Sequence, residues 1–210
     1  MTNTEPRLLL ATRNRKKLGE LRRIVGPAVT VLGLDDVRAF PEEPETGATF
    51  EENALAKALQ AARETGELSL ADDSGFCVDA LNGMPGVLSA RWAGRHGDDA
   101  ANNALLLAQL GDVPDDRRGA AFVCSLALVR PDGAAEVRTA HWRGRVLREP
   151  RGSNGFGYDP LFVPDDGGGR ASAELSPTEK DALSHRGRAL QMLAPVFAAL
   201  LAPADRASES

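Results

Sequence analysis

The chain has 210 residues, of which 42% are hydrophobic and 26% are charged, and its formal net charge is −5. This length suits one sizeable domain, or one domain with two lobes. The acidic balance argues against a general nucleic-acid coat, although it allows a local basic pocket, and no apolar run is long enough for a membrane span. Because Cys77 and Cys124 lie in apolar runs and the N-terminus lacks the pattern of a signal peptide, we expect buried thiols and a cytoplasmic protein.

The first part of the chain predicts a strand and two helices. The apolar segment RLLLAT at 7–12 predicts a short buried strand, and a polar turn after it leads into a helix that ends near Val25. Thr49 and Glu52 have the spacing of a capping box with Thr49 as the N-cap, and an alanine-rich helix is expected over 54–65. Polar groups between the first strand and its helix would be well placed to meet a phosphate.

The rest of the chain predicts a long hairpin between helices. In order we expect strand-like segments at 68–72 and 76–81, a helix at 98–110, strands at 120–130 and 136–147 joined by a Pro-Asp-Gly turn, a short strand at 161–163 and a helix at 185–201. This order predicts an α/β fold in which helices flank a mixed β-sheet, and two lobes around a central cleft would suit it. We expect a single domain over 1–203 and a disordered tail over 204–210.

The segment LADDSG at 70–75 is the most informative one, because two adjacent carboxylates follow an apolar run. Asp72 and Asp73 repel each other, so metal binding or water activation is favoured over the alternative of an Asx turn. Neighbouring side chains of a strand point to opposite faces, so one carboxylate should face the cleft while the other binds backbone donors of a turn. We expect Asp73 to face the cleft, ionised beside Mg²⁺, where it would orient a water and accept its proton.

Glu45 is a second candidate magnesium ligand, just ahead of the helix that follows Thr49. Magnesium takes only one or two protein carboxylates and completes its shell with water and phosphate oxygens, so Glu45 and Asp73 would suffice. The alternative is a carboxylate that merely favours the helix dipole. His96 and His141 have no metal-ligand spacing with the cysteines, so no zinc site is expected.

Thr12, Asn14 and Lys17 offer a hydroxyl, an amide and a cation at the strand–helix turn. A triphosphate needs such donors, because its charge must be met by N–H groups and a cation. The alternative is a solvated polar helix start, and the segment is not a Walker A loop because no G-x-x-x-x-G-K occurs.

Phe156 lies between two glycines in GFGYD at 155–159. Glycine lets a ligand approach the backbone, and the Phe156 ring can offer a flat face to a base. The alternative is a tight turn with the ring anchored in the core. Asp159 precedes a proline, which biases it to an extended conformation.

Lys180, His185 and Arg186 are expected near the start of the last helix, with Ser184 as its N-cap. Donors at this point would favour a 6-oxo purine, which accepts at O6, over adenine, which presents an amino group. A solvated helix start is the alternative.

Taken together, these residues resemble the inosine/xanthosine triphosphate pyrophosphatase family, from about Leu8 to Leu193. The resemblance lies in six ordered blocks, ATRNRKK at 11–17, PETGATFEENALAKA at 44–58, ADDSGFCVDALNGMPGVLSARWAG at 71–94, VPDDRR at 113–118, REPRGSNGFGYDPLF at 148–162 and AELSPTEKDALSHRGRAL at 173–190. It implies hydrolysis of ITP, dITP or XTP to the monophosphate and pyrophosphate with Mg²⁺, which keeps these nucleotides out of DNA and RNA. It also implies an elongated α/β fold with a cleft between lobes, and a homodimer.

The resemblance assigns site residues by position. Asp73 matches the proton acceptor, and Glu45 and Asp73 match the magnesium ligands. The substrate-binding positions are Thr12, Arg13, Asn14, Arg15, Lys16, Lys17, Lys57, Ser74, Phe156, Gly157, Tyr158, Asp159, Lys180, His185 and Arg186. Arg13, where many relatives carry glycine, is a departure that adds a cation near the phosphates.

Three other functions compete with this interpretation. A pyrophosphatase for a modified pyrimidine is favoured only if Phe156 and His185 do not face a purine. A nucleotide-binding regulator without hydrolysis is disfavoured, because a sensor has no need of a proton acceptor such as Asp73 beside a metal. A nucleic-acid-binding module is disfavoured by the acidic balance.

Overall fold

A mixed β-sheet forms the centre of the computed structural model, which describes residues 7–25 and 29–201. Its strands are β1 (Arg7–Leu10), β2 (Thr30–Leu32), β3 (Ser69–Val78), β4 (Pro85–Gly86), β5 (Gly119–Val129), β6 (Ala135–Val146) and β7 (Phe162–Pro164). Their order is β2-β1-β3-β5-β6-β7, and β4 pairs with β3 off this path. β1 is parallel to β2 and β3, and the other pairs are antiparallel. The mixed sheet and the long hairpin predicted from the sequence are therefore confirmed.

Helices cover both faces of this sheet. They are α1 (Arg15–Val25), α2 (Phe50–Thr65), α3 (Asp99–Gln109), α4 (Pro177–Leu183) and α5 (His185–Leu201). One buried cluster joins Leu70 of β3 to α1 and α5, and another joins the next residue, Ala71, to the alanines of α2. This alternation is the period of a strand, and it places α1 and α5 on one face and α2 on the other. By the same alternation, Asp72 lies on the α5 face and Asp73 lies on the α2 face.

The start of α2 follows the sequence pattern with one difference. Thr49 Oγ1 accepts the Glu52 N–H at 3.2 Å, which confirms Thr49 as the N-cap. The Glu52 carboxylate accepts the N–H of Ala48 at 2.7 Å instead of that of Thr49. Both bonds satisfy backbone donors near the helix start, so the entry into α2 is fixed.

A third, aromatic cluster occupies the far ends of β3, β5 and β6. It contains Phe76, Phe122, Trp142 and Phe162, whose neighbouring ring centroids lie 4.8 to 6.5 Å apart. The clusters against α2 and α5 lie at the other ends of the same strands. The polar stretch 72–74 separates these cores along β3.

The two strand-like segments predicted around the acidic pair are one continuous strand, β3, so the predicted turn between them was wrong. β3 pairs with β5 along its whole length, and Gly75 lies inside it. A Cβ at Gly75 would lie 2.5 Å from both the Gly86 carbonyl oxygen and Ser89 Oγ. The glycine therefore permits a close approach of the chain and does not make a turn. Residues 79–81 form a 3₁₀ helix, so the predicted extension of the strand to that point was also wrong.

β2 and α4 were not predicted from the sequence, and Lys180 belongs to α4, not to the last helix. The tail predicted at 204–210 lies outside the described residues. In the ranges that the structure describes, no helix is long and apolar enough to cross a membrane.

Candidate functional site

A cleft of about 330 Å³ lies beside the middle of β3. Its wall includes most of the residues that the sequence selected, namely Thr12, Arg13, Asn14, Lys17, Glu45, Lys57, Asp73, Ser74, Phe156, Gly157, Tyr158, Asp159, Lys180, His185 and Arg186. Arg15 and Lys16 are exposed and lie outside this wall. Residues that are up to 174 positions apart in the chain (12 and 186) thus meet at one site.

Asp73 is buried on the α2 face, where it contacts an amide and an ammonium group. Asn53 Nδ2 donates to Asp73 Oδ2 at 3.0 Å, and Lys57 Nζ lies 3.6 Å from Asp73 Oδ1. Burial raises the pKa of Asp73, and the nearby charges of Lys57 and Lys17 do not fully offset this effect. Asn53 was missed by the sequence reasoning, although it lies four residues before Lys57 and therefore on the same face of α2.

Glu45 and Asp73 converge on one cationic centre. Lys57 Nζ donates to Glu45 Oε1 at 2.8 Å and to the Asp72 carbonyl oxygen at 2.8 Å, while it also faces Asp73. In the described ranges, no group of three or more His, Cys, Asp or Glu residues could hold a metal. Glu45 and Asp73 offer two carboxylates to a cation at this point, and magnesium takes one or two from a protein. The donor set fits magnesium, which would share these carboxylates with Lys57.

Asp72 is fully buried on the α5 face and binds cations. It forms ion pairs with Lys17 and Arg186, the latter at 3.2 Å from Nε, and accepts the Cys124 thiol at 3.0 Å. Burial would raise the pKa of Asp72, but the positive charges of Arg186 and Lys17 outweigh it and hold the pKa far below the usual range. The expectation that this carboxylate binds backbone donors of a turn was therefore wrong, because the chain does not turn here.

Glu20 extends these ion pairs across the site. Its carboxylate pairs with Arg186 and with Lys180, the latter at 3.3 Å, and Lys180 pairs with Asp159 at 2.6 Å. Removing one member would leave a buried charge without its partner, which is costly. Glu20 was also missed, although it follows Lys17 by three residues and so lies on the same face of α1.

The turn before α1 is organised by its own side chains. Asn14 Oδ1 accepts the N–H groups of Lys16 and Lys17 at 3.0 and 3.2 Å, and Thr12 Oγ1 accepts the Asn14 N–H at 3.2 Å. Asn14 therefore caps α1, and its amide NH₂ can still donate to a ligand. The Arg13 guanidinium pairs with Glu42, so this additional cation already has a carboxylate partner.

Phe156 is half-buried, and its ring is not part of the aromatic core. Its N–H donates to Asp159 Oδ2 at 2.8 Å, and the Nζ atoms of Lys16 and Lys180 lie 5.3 and 5.1 Å from its ring centroid. These distances are within the range of a cation–π interaction. By contrast, Tyr158 is buried in the aromatic cluster, and its hydroxyl donates to the Ser89 carbonyl oxygen at 2.9 Å.

His185 is buried at the end of the cleft against the aromatic core. Its ring stacks on that of Phe122 with centroids 4.9 Å apart, and its buried Nδ1 has no hydrogen-bond partner among the described residues. Burial lowers the pKa of His185 well below its ordinary value, so the ring is neutral. Ser184 Oγ accepts the Gly187 N–H at 3.3 Å, which supports the predicted N-cap of α5.

Comparison with known proteins places this cleft in a family. The Ham1 family matches residues 8–196. A dITP/XTP pyrophosphatase of Mycolicibacterium paratuberculosis is 65% identical over 92% of this chain and 96% of the relative, and one of Nocardia farcinica is 63% identical over 97% and 98%.

Solved structures agree with the sequence matches. A nucleoside-triphosphatase / dITP/XTP pyrophosphatase of Mycobacterium abscessus is 61% identical, with a TM-score of 0.75 over 90% of this chain and 99% of that one. A HAM1 protein of Coxiella burnetii is 41% identical, with a TM-score of 0.82 over 92% and 99%. The family resemblance seen in the sequence is confirmed: with this fold, this cleft and these relatives, the chain belongs to the Ham1 family.

Proposed function

We propose that the protein hydrolyses noncanonical purine nucleoside triphosphates, such as ITP, dITP and XTP, to the monophosphate and pyrophosphate, and so keeps them out of DNA and RNA. The observation that carries this proposal is the arrangement around Asp73. A buried carboxylate of raised pKa lies beside Glu45 and Lys57, in a cleft that also contains Lys17 and the ring of Phe156. A carboxylate, cations and an aromatic face are the groups that hydrolysis of a nucleotide needs. The names of the relatives point to the same reaction.

Asp73 acts as the general base in this proposal. The hydrogen bond from Asn53 holds Oδ2, and Oδ1, which lies 3.6 Å from Lys57 Nζ, would accept the proton of an attacking water. Glu45 and Asp73 would hold magnesium, and the ion would supply positive charge that offsets the charge of the phosphate oxygens and favours deprotonation of the attacking water. A carboxylate whose pKa burial has raised is a stronger base than an exposed one, provided that it is ionised.

The phosphates are proposed to bind between two cationic groups. Lys57 lies on the α2 face and Lys17 on the α5 face of β3, and both line the cleft. The N-terminus of α1, which Asn14 caps, also lies at the cleft, and the positive end of its helix dipole favours a bound anion. Charge-assisted hydrogen bonds from these groups would offset the negative charge of a triphosphate.

The base is proposed to bind near Phe156 and His185, which line the same cleft. A purine could stack on the half-buried ring of Phe156, and His185, which is neutral, lines the same cleft. Which His185 nitrogen carries the proton decides whether a 6-oxo group or an amino group is matched. We propose the tautomer that donates toward the 6-oxo group.

The experiment is a substrate panel on the purified protein with Mg²⁺, using ITP, dITP, XTP, GTP, ATP and dUTP and resolving all products. Monophosphate and pyrophosphate from the first three, with little from GTP or ATP, is the expected result. Preference for dUTP would favour the pyrimidine enzyme, and binding of ITP without turnover would favour the regulator. Turnover that persists in excess EDTA would contradict the magnesium assignment, and its return on adding excess Mg²⁺ is the control.

The homodimer and the cytoplasmic location remain proposals that rest on the family resemblance and, for the location, on two unpaired cysteines. Sedimentation velocity at several protein concentrations tests the first, since a stable dimer sediments as about twice the 22.3 kDa chain. A single species at the mass of one chain would contradict it.

A further inference from the structure

Helix α3 holds the loop that carries Phe156 through two hydrogen bonds to one residue, Gly157. The Gly157 N–H donates to Asp99 Oδ2 at 2.9 Å, and the Gly157 carbonyl oxygen accepts from Asn103 Nδ2 at 2.9 Å. Asp99 and Asn103 are four residues apart, so they project from one face of α3. The peptide units on both sides of Gly157 Cα are therefore attached to a single helix.

Gly157 itself does little to fix this loop. Its φ is +62°, and an added Cβ would meet nothing within 4 Å. Glycine adopts positive and negative φ about equally well, so its own backbone preference does not select the conformation observed. The two side chains of α3 supply the restraint that the residue lacks.

A different contact fixes the amide of Phe156, on the inner side of the loop. Its N–H donates to Asp159 Oδ2 at 2.8 Å, and that oxygen also pairs with Lys180. The backbone that carries the Phe156 ring is thus supported in two ways. The first support is the buried ion pair of Asp159 with Lys180, and the second is helix α3. The first support belongs to residues already assigned to the site, and the second does not.

Asp99 also lies close to the start of α1. Lys16 Nζ is 3.9 Å from Asp99 Oδ2 and 5.3 Å from the centroid of the Phe156 ring. Such an exposed pair contributes little to stability. It does show that Asp99 is adjacent to both the loop of Phe156 and the start of α1.

We propose that Asp99 and Asn103 are positioning residues, which fix the Phe156 ring through Gly157 and so determine how well the enzyme distinguishes one purine base from another. This inference rests on the proposed function. In the proposed binding mode the base stacks on Phe156 and the water attacks near Asp73, so loosening the ring should weaken base binding more than it slows the chemical step. A change confined to base binding raises KM while kcat is little affected.

The experiment compares Asn103→Ala with the wild-type protein on ITP and GTP. Loss of one hydrogen bond that orders the loop should raise KM for ITP about tenfold and leave kcat within about threefold. The ratio of kcat/KM for ITP to that for GTP should fall by about fivefold or more. Alanine has the highest helix propensity, so α3 should remain folded.

The matched control is Gln109→Ala, on the same helix. Gln109 Oε1 accepts the indole N–H of Trp92 at 2.8 Å, so this variant also removes one side-chain hydrogen bond from α3 but does not contact Gly157. Its KM and its ITP-to-GTP ratio should match those of the wild type. If Gln109→Ala shifts them as Asn103→Ala does, the effect is a general loosening of α3 and the inference is overturned.

A second pair of variants separates positioning from charge. Asp99→Ala should raise KM as Asn103→Ala does, and Asp99→Asn, which keeps an oxygen acceptor for the Gly157 N–H, should restore KM to within about threefold of the wild type. Unchanged KM and unchanged base preference in both alanine variants would overturn this inference but not the proposed function. A wild-type protein that hydrolyses none of the nucleotides would overturn the proposed function and the inference with it.

Discussion

Asp72 and Asp73 are identical residues at neighbouring positions, yet their surroundings move their pKa values in opposite directions. Both are buried, which raises the pKa of a carboxyl group. Around Asp72 the charges of Arg186 and Lys17 outweigh burial, whereas around Asp73 the effect of burial persists despite Lys57. Asp72 therefore remains an ionised anchor for two cations. Asp73 is the better proton acceptor, as expected where two carboxylates have different tasks.

Asp73→Asn tests this division at the scale of one residue. An amide keeps the size of the side chain and its contact with Asn53, but it cannot accept a proton at the pH of the reaction. We expect kcat for ITP to fall by about 100-fold or more, while ITP still binds with an affinity within about tenfold of the wild type. Single-turnover kinetics and equilibrium binding measure the two quantities.

The control for this variant is Asp79→Asn. Asp79 is exposed and pairs with Arg143 outside the cleft, so the same chemical change should leave kcat within about twofold. Full activity in Asp73→Asn would remove Asp73 from the role of general base.

At the scale of the elements, β3 shows how far sequence patterns reach. The apolar runs on either side of the acidic pair predict two strand-like segments, because Asp, Ser and Gly are turn formers and local patterns end the first segment there. The strand continues because partners distant in sequence stabilise it. Asn53 donates a hydrogen bond to Asp73 and Lys57 forms an ion pair with it, while Arg186 donates to Asp72. The sequence could identify the two carboxylates as functional, because they are adjacent in the chain. It could not give the course of the chain, because that depends on cations contributed by other elements.

The same distinction explains which site residues were found. The predicted residues lie in short motifs whose chemistry is visible in the sequence, such as the cluster before α1. Glu20, Asn53 and Asn103 act through neighbours in space, and only helical spacing from an already selected residue points to the first two. Sequence reasoning therefore found the groups that face the cleft better than those that hold them in place.

Thr49→Ala tests the contribution of a helix cap to this arrangement. Thr49 begins α2, which carries Asn53 and Lys57 to the cleft, and its hydroxyl accepts the Glu52 N–H. Removing this cap should lower the free energy of unfolding by about 1 kcal/mol. Urea denaturation followed by circular dichroism measures the change. The control is Thr178→Ala, at an exposed position in the first turn of α4, and a Thr49→Ala variant as stable as this control would contradict the cap's role.

At the scale of the whole molecule, the cleft places the neutral ring of His185 among buried charges. Burial lowers the pKa of His185, and the charges of Arg186, Lys180 and Lys17 lower it further, while Asp72 opposes them. These groups come from α1, β3, α4 and α5, so the neutral state of His185 is a property of the assembled fold. In the unfolded chain the ring regains a pKa near 6.5.

This difference predicts an acid sensitivity of the fold. Below about pH 6.5 the unfolded chain takes up a proton at His185 that the folded chain does not, so the free energy of unfolding decreases by up to about 1.4 kcal/mol per pH unit, whereas above that pH the contribution is constant. His185→Gln removes this term. Urea denaturation at pH 7.5, 6.5 and 5.5 should therefore show the wild type losing about 1 kcal/mol more than His185→Gln between the last two values. A constant difference between the wild type and His185→Gln at all three pH values would show that His185 does not titrate on unfolding.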